Sequence, residues 1–282
     1  MRLASLLVER TTRVRGEERV AQRTTLDLGE MGGRLDRIHV LAVVLALGLT
    51  LYLSVSPTQN WLLLLFCGLA AIGTDAVVRH HPRASFQRLD DTALFLFVPV
   101  LFMLSLGIFM EDVADGYWNV AVGILSVVPF WLILRAEYET VHLESPQFQS
   151  ARLILNGATY VIAFLFFATI YDFDLSLLTA SFAAGIVSVL LAIEVLREEA
   201  MDTTRTILYS LAIGVLIGEA AWSTHFLPLD SSAAAVFLLL AFYMLTGLMH
   251  NYLGNRLNHQ TASEFTAVAG VGIAIIVVAQ VT

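Results

Sequence analysis

The segment TILYSLAIGVLIGEAAW, residues 206–222, is apolar and long enough to cross the hydrocarbon core of a bilayer as one helix. Its small residues recur at intervals of four, at Thr206, Ser210, Gly214 and Gly218, so they lie on one face of that helix. A face of this kind lets a second helix approach closely, as in GxxxG contacts. The segment therefore predicts a tightly packed transmembrane helix.

An acid lies within this segment, at Glu219, with no arginine within a helical turn. A charged group inside a span is costly and is often functional. Glu219 is therefore the candidate functional residue, and His225, six residues later, is its candidate partner if the chain turns back there. The alternative is an interfacial glutamate that hydrogen-bonds to a neighbouring helix and has a structural role only.

The composition excludes several classes of protein. Hydrophobic residues make up 57% of the chain and charged residues 14%, against roughly 25% charged in soluble domains. The chain contains no lysine, which excludes a retinal or pyridoxal Schiff base. Cys67 is the only cysteine, which excludes an internal disulfide, a thiolate zinc cluster and an iron–sulfur site. The net charge of −8 argues against a nucleic-acid partner.

Hydropathy predicts an all-α polytopic transmembrane bundle of about nine spans. The predicted spans are 38–56, 61–78, 91–110, 117–135, 151–171, 175–196, 205–223, 232–250 and 262–281. Residues 38–282 then form a single bundle, and residues 1–37 form a cytoplasmic, arginine-rich N-terminal segment. Its mixed charge favours a partly helical cytosolic tail, and the alternative is an amphipathic helix that lies on the inner membrane surface through its leucines. Pro99 and Pro129 fall inside the third and fourth spans and should bend them.

The charge distribution predicts an orientation. With a cytoplasmic N-terminus, all sixteen arginines fall in inner segments or at the inner ends of spans, and the outer loops carry acids instead. This agrees with the positive-inside rule and places the C-terminus outside. The pattern predicts a multi-pass protein of a prokaryotic cytoplasmic membrane.

The sixth span carries a second stripe of small residues, Ala180, Ala184, Ser188 and Ala192. It is joined to the seventh span by a short inner loop, so the two must run antiparallel. We expect them to pack face to face and to form the tight centre of the bundle. The predicted packing residues are Ser210, Gly214, Gly218, Ala184 and Ser188.

The remaining charges near span ends have structural explanations. Asp75 and Arg79 are four residues apart, and Glu194 and Arg197 are three apart. Both spacings bring opposite charges together on a helix surface. We therefore interpret these pairs as interfacial ion pairs rather than as parts of a functional site.

No motif predicts a cofactor or a metal. Six histidines fall on the inner side, but they show no HxxxH spacing, and the chain has no HExxH, GxSxG or GxxxxGK[ST] motif. The six are His39, His80, His81, His142, His250 and His259.

Three functional classes fit these observations. The first is a non-enzymatic membrane subunit or scaffold, because few polar groups lie deep in the spans. The second is a small-solute or ion/proton-linked transporter that uses Glu219. The third is an inner-face enzyme acting on a lipid-like substrate. The expected partners are the lipid bilayer and either a membrane protein or a second copy of this chain.

Overall fold

The structure is a computed structural model that describes residues 37–55, 59–82, 92–113, 116–142, 145–173, 175–197, 203–227, 229–254 and 258–281. The N-terminal segment 1–37 therefore lies outside the described residues, except for its last position. Regular structure in the described ranges is entirely α-helical. Long apolar segments favour helices because each helix bonds its own N–H and C=O groups without water.

The helices follow one another along the chain with short connections. They are α1 (Arg37–Ser54), α2 (Asn60–Arg79), α3 (Ala93–Val113), α4 (Tyr117–Leu125), α5 (Val127–Thr140), α6 (Phe148–Asp172), α7 (Leu177–Leu196), α8 (Thr203–Thr224), α9 (Ser231–Leu253) and α10 (His259–Val281).

Each predicted span coincides with one helix, except that the fourth corresponds to α4 and α5 together. In the described part of the chain, eight of these units are long and apolar enough to cross a membrane. The ninth predicted span corresponds to α10, a helix of 23 residues. The prediction of an all-α polytopic bundle is confirmed, and the chain is a multi-pass membrane protein.

The fourth span is interrupted one turn before Pro129. The N–H of Ser126 donates to the carbonyl of Val122 at 2.9 Å, and the hydroxyl of Ser126 donates to the carbonyl of Gly123 at 2.6 Å. Pro129 has no N–H to offer the carbonyl of Leu125, so the helical ladder loses a bond there. By contrast, α3 continues as one helix through Pro99.

The centre of the described bundle is α6, which packs against α3, α5, α7 and α9. Its Leu155, Ile162 and Phe167 are fully buried. The most extensive helix pair is α7 with α8, but α8 otherwise packs mainly on α9 and so lies at the periphery. The expected central position of the α7–α8 pair is therefore wrong. Small residues allow close approach, whereas the core is filled by bulky side chains.

Contacts between helix ends show that successive spans alternate in direction. Arg152, near the start of α6, pairs with Glu194, near the end of α7. The hydroxyl of Tyr52, near the end of α1, donates to Glu111, near the end of α3.

The alternation gives the described bundle two chemically different ends. We call one the arginine-bearing end; its described arginines are Arg37, Arg79, Arg135, Arg152, Arg197 and Arg205. We call the other the acidic end; its described acids include Glu111, Asp112, Asp172 and Asp230.

Candidate functional site

The backbones of α7 and α8 are in contact at three glycines. A Cβ atom on Gly214 would lie 2.7 Å from the carbonyl oxygen of Gly185, and one on Gly185 would lie 3.0 Å from that of Gly214. A Cβ on Gly218 would lie 3.2 Å from the carbonyl oxygen of Ser181. The separation of these helices therefore depends on the absence of side chains at these positions.

The predicted packing residues lie close to this contact. Ser210, Ala184 and Ser188 are fully buried, Gly214 is buried and Gly218 is half-buried. The α7 positions that meet the glycines of α8 are Ser181, Gly185 and Val189. Each of these follows a member of the predicted stripe by one position. Sequence reasoning missed Gly185, although its residue type is itself a signal for close helix approach.

The α7–α8 pair forms a groove of about 580 Å³ on its outward-facing side. The glycines give a low floor, and the walls are bulky exposed side chains such as Phe182, Ile186 and Val215. The lining residues are Leu178, Ser181, Phe182, Gly185, Ile186, Val189, Leu211, Gly214, Val215, Gly218, Glu219, Trp222 and Ser223. We call this the α7–α8 groove.

Glu219 lies in this groove, toward the acidic end, with an exposed side chain. Its backbone carbonyl accepts a hydrogen bond from the hydroxyl of Ser223 at 2.9 Å. Among the described residues, its carboxylate makes no hydrogen bond or ion pair. The carboxylate is thus available to a group from outside the described chain.

His225 lies beyond the end of α8 and is exposed. Its ring is 6.1 Å from that of the adjacent Phe226, and it does not line the α7–α8 groove. Within the described ranges no hydrogen bond or ion pair joins His225 to Glu219. The functional partnership of these two residues stays a prediction.

A second polar cluster lies at the arginine-bearing end, where four charges from three helix ends meet. Arg152 of α6 contacts Glu194 of α7 at 2.8 Å. Arg197, which follows α7, contacts Glu194 at 3.0 Å and Glu137 of α5 at 3.4 Å. We call these four residues the buried ion network. The predicted Glu194–Arg197 pair is present, but sequence reasoning did not connect it with Arg152 or Glu137.

The buried ion network is shielded from solvent, and some of its polar atoms lack a hydrogen bond. Glu137 and Glu194 are 0% and 1% exposed. Glu137 Oε1 and Glu194 Oε2 accept no hydrogen bond from the described residues. The guanidinium of Arg197 also lies 4.6 Å from the ring centre of Phe95. Burial lowers the pKa of Arg197, but the carboxylates of Glu194 and Glu137 raise it more, so the net shift is upward.

The predicted Asp75–Arg79 pair is present near the end of α2. Arg79 Nε donates to both carboxylate oxygens of Asp75, at 2.8 and 2.7 Å. The hydroxyl of Thr92 also donates to Asp75, at 2.5 Å. These contacts tie the end of α2 to the start of α3, in keeping with the structural interpretation.

The histidines of the arginine-bearing end have separate partners. The ring of His81 is 4.7 Å from that of Tyr138, and the ring of His39 is 5.6 Å from that of Trp131. His80 Nδ1 lies 2.6 Å from the carbonyl oxygen of Ala76. Among the residues that the structure describes, no three His, Cys, Asp or Glu side chains are grouped so as to hold a metal ion.

Comparison with protein families gives a match over most of the chain. Residues 39–279 match the model of a family described as "Protein of unknown function (DUF5656)". The comparison with curated proteins and the comparison with solved structures each found no match. The matched range covers almost the entire bundle, including the α7–α8 groove and the buried ion network.

Proposed function

We propose a partner-binding function for this chain, which belongs to the DUF5656 family of proteins of unknown function. In this proposal the chain is a non-enzymatic membrane subunit, and one transmembrane helix of a partner protein occupies the α7–α8 groove. The observation that carries the proposal is an acid, Glu219, whose carboxylate has no partner among the described residues and which lies in an outward-facing groove floored by glycine.

The shape of the groove suits a helix. Transmembrane helices associate through close packing on small residues, because lipid chains are as apolar as leucine and provide no hydrophobic drive. The floor at Gly185 and Gly214 is at backbone level, while Phe182 and Val215 stand 68% and 60% exposed on either side. A ridge of side chains from a third helix can pack into the groove between these walls.

The charge of the groove defines the chemistry of the partner helix. A carboxylate facing lipid is costly unless it is paired or hydrogen-bonded. A partner helix with an arginine or lysine near the acidic end would form an ion pair with Glu219. The described residues of the acidic end contain no arginine, so a second copy of this chain offers no such cation from them. We therefore favour a different protein over a homodimer.

A photo-crosslinking experiment tests this proposal. p-Benzoylphenylalanine would replace Val215, which lines the groove, or its neighbour Leu216, which is 47% exposed and does not line it. We expect a discrete crosslinked membrane protein from position 215 and none from position 216. A crosslink to a second copy would replace the hetero-partner with a homo-oligomer, and equal crosslinking at both positions would contradict the docking site.

The acid provides a second, independent test. Glu219→Gln should reduce recovery of the crosslinked partner while leaving the purified protein folded, because it removes the charge but keeps the shape. Asp112→Asn, an exposed acid at the same end, is the matched control. Equal recovery from both variants would show that the charge of Glu219 does not contribute to binding.

We also propose that the arginine-bearing end faces the cytoplasm of a prokaryotic cell. Support comes from the six described arginines at that end and from the arginines of the remaining sequence, which the predicted topology places on the same side.

A second candidate function is ion- or proton-linked transport. It is supported by Glu137 Oε1 and Glu194 Oε2, two buried carboxylate oxygens that the described residues leave unbonded. In proteoliposomes with an internal pH dye, Glu137→Gln should abolish any proton movement. Glu219→Gln shows whether the acid that the sequence favoured also contributes to that movement. Glu139→Gln is the control, because Glu139 accepts from Ser145 outside the network. A signal unchanged by all three variants would oppose this candidate.

A further inference from the structure

A second groove lies between α1 and α2 at the arginine-bearing end, away from the α7–α8 groove. It has a volume of about 600 Å³. Its lining residues are Arg37, Val40, Leu41, Val44, Leu69, Gly73, Ala76, Val77 and His80. We call it the α1–α2 groove.

The groove is polar at its mouth and apolar along its length. Arg37 begins α1 and His80 follows α2, so both lie at the same end of the groove. Both side chains are exposed, and Arg37 has no ion pair among the described residues. His80 Nδ1 donates to the carbonyl of Ala76, which holds the ring beside the groove. The remaining lining side chains are aliphatic.

The length of the groove corresponds to one leaflet. From His80 to Leu69 the α2 backbone rises about 16 Å at 1.5 Å per residue. Half of a hydrocarbon core is about 15 Å. An acyl chain lying along the groove would therefore reach toward the bilayer midplane while its headgroup stayed at the mouth.

Gly73 contributes to the shape of this site. A Cβ atom at Gly73 would lie 2.4 Å from Cδ1 of Leu41 on α1. Gly73 thus leaves room for the side chain of Leu41, and Ala76 adds only a methyl group to the α2 side of the groove.

We propose that the α1–α2 groove binds an anionic phospholipid of the leaflet at the arginine-bearing end. The guanidinium of Arg37 contacts the phosphate, the His80 ring lies beside it, and one acyl chain lies against Val44, Leu69 and Ala76. An arginine suits a phosphate because its planar fork of donors matches two phosphate oxygens.

Lipid retention measured by native mass spectrometry tests the site. Purified protein would be equilibrated with equal amounts of phosphatidylglycerol and phosphatidylcholine of matching acyl chains. We expect phosphatidylglycerol to be retained preferentially and Arg37→Gln to weaken that retention about fivefold, the effect of one surface arginine. Arg205→Gln, which removes another exposed arginine at the start of a helix, should change nothing.

A second pair of variants tests the apolar part of the groove. Ala76→Phe fills the groove and should abolish tight retention of the lipid. Ile72→Phe places the same ring on the same helix at a position that is 72% exposed and outside the lining, and should retain the lipid. Equal phosphatidylglycerol retention in Arg37→Gln, Ala76→Phe and the parent would overturn the proposal. Displacement of the lipid by excess inorganic phosphate would also overturn it, since the site would then recognise the free anion.

Discussion

The guanidinium of Arg152 holds Glu194 by two hydrogen bonds, one from Nη1 to the carboxylate and one from Nη2 to the backbone carbonyl, both 2.8 Å long. This relationship fixes the start of α6 to the end of α7, 42 residues apart in the chain. Because Arg197 also contacts Glu194 and Glu137, the clamp extends to α5. Three helices are thereby joined at the arginine-bearing end.

Removing one member of this clamp should be strongly destabilising. Arg152→Met leaves Glu194 buried with Arg197 as its remaining ionic partner, and breaking a buried pair typically costs about 3–5 kcal/mol. The measurement is the free energy of unfolding in detergent, followed by helical circular dichroism.

The double variant Arg152→Met, Glu194→Met distinguishes a charge effect from a packing effect. It removes both charges and leaves Arg197 with Glu137, so it should be more stable than Arg152→Met alone. If the losses of stability in the single variants Arg152→Met and Glu194→Met simply add in the double variant, the pair is not energetically coupled. Arg205→Met, at the same end but outside the network, should lie close to the parent.

The glycine contact between α7 and α8 should not tolerate even a methyl group. Gly214→Ala places a Cβ 2.7 Å from the carbonyl oxygen of Gly185, so the helices must separate, at a cost of about 1–3 kcal/mol. Gly157→Ala is the matched control in α6, because no atom lies within 4 Å of its added Cβ. It should be neutral or stabilise the protein by up to about 1 kcal/mol. Equal melting temperatures for the two variants would contradict the contact.

The contribution of a hydrogen bond near the acidic end should be measurable as a change in the free energy of unfolding in detergent. Tyr52→Phe removes the bond of 2.5 Å to Glu111, and bonds to charged groups contribute about 1.5–3 kcal/mol. Tyr117→Phe, at a side chain that is 96% exposed, should have no effect. A stable Tyr52→Phe protein would indicate that water replaces the tyrosine hydroxyl.

The proposed orientation can be read from cysteine labelling in intact cells. Cys67 is buried, and Cys67→Ala gives a background free of cysteine. In that background, Tyr117→Cys should react with a membrane-impermeant maleimide from outside, because it lies at the acidic end. Ser150→Cys, exposed near the start of α6, should react only after permeabilisation. The opposite pattern would invert the topology.

Hydropathy predicts the helices well where the chain is uniformly apolar. The fifth span is predicted over 151–171 and observed as Phe148–Asp172. The fourth is predicted to end at 135, which places Glu137 in a loop, whereas α5 continues to Thr140. A hydropathy sum counts a glutamate as a cost, and it cannot include the compensation by Arg197, 60 residues away.

The candidate sites show the same limit. The spacing of Gly214 and Gly218 predicts a close helix contact, and Glu219 stands out as an acid in a span. The sequence does not fix which face of α7 meets them, because a shift of one residue rotates a helix face by about 100°. The closest backbone contact is at Gly185, one position from Ala184 in the predicted stripe. The α1–α2 groove depends on a relative placement of two helices that local spacing does not encode.

The contact between Gly185 and Gly214 also has a mechanical consequence. Ordinary helix interfaces loosen when side chains change rotamer, and that freedom lets one helix slide past another. At Gly185 the nearest atoms of α8 are all backbone atoms, of Gly214 and Gly218, so no change of rotamer can loosen the contact there. Any opening of the bundle should therefore carry α7 and α8 as one rigid body, with the displacement taken up at their boundaries with α6 and α9.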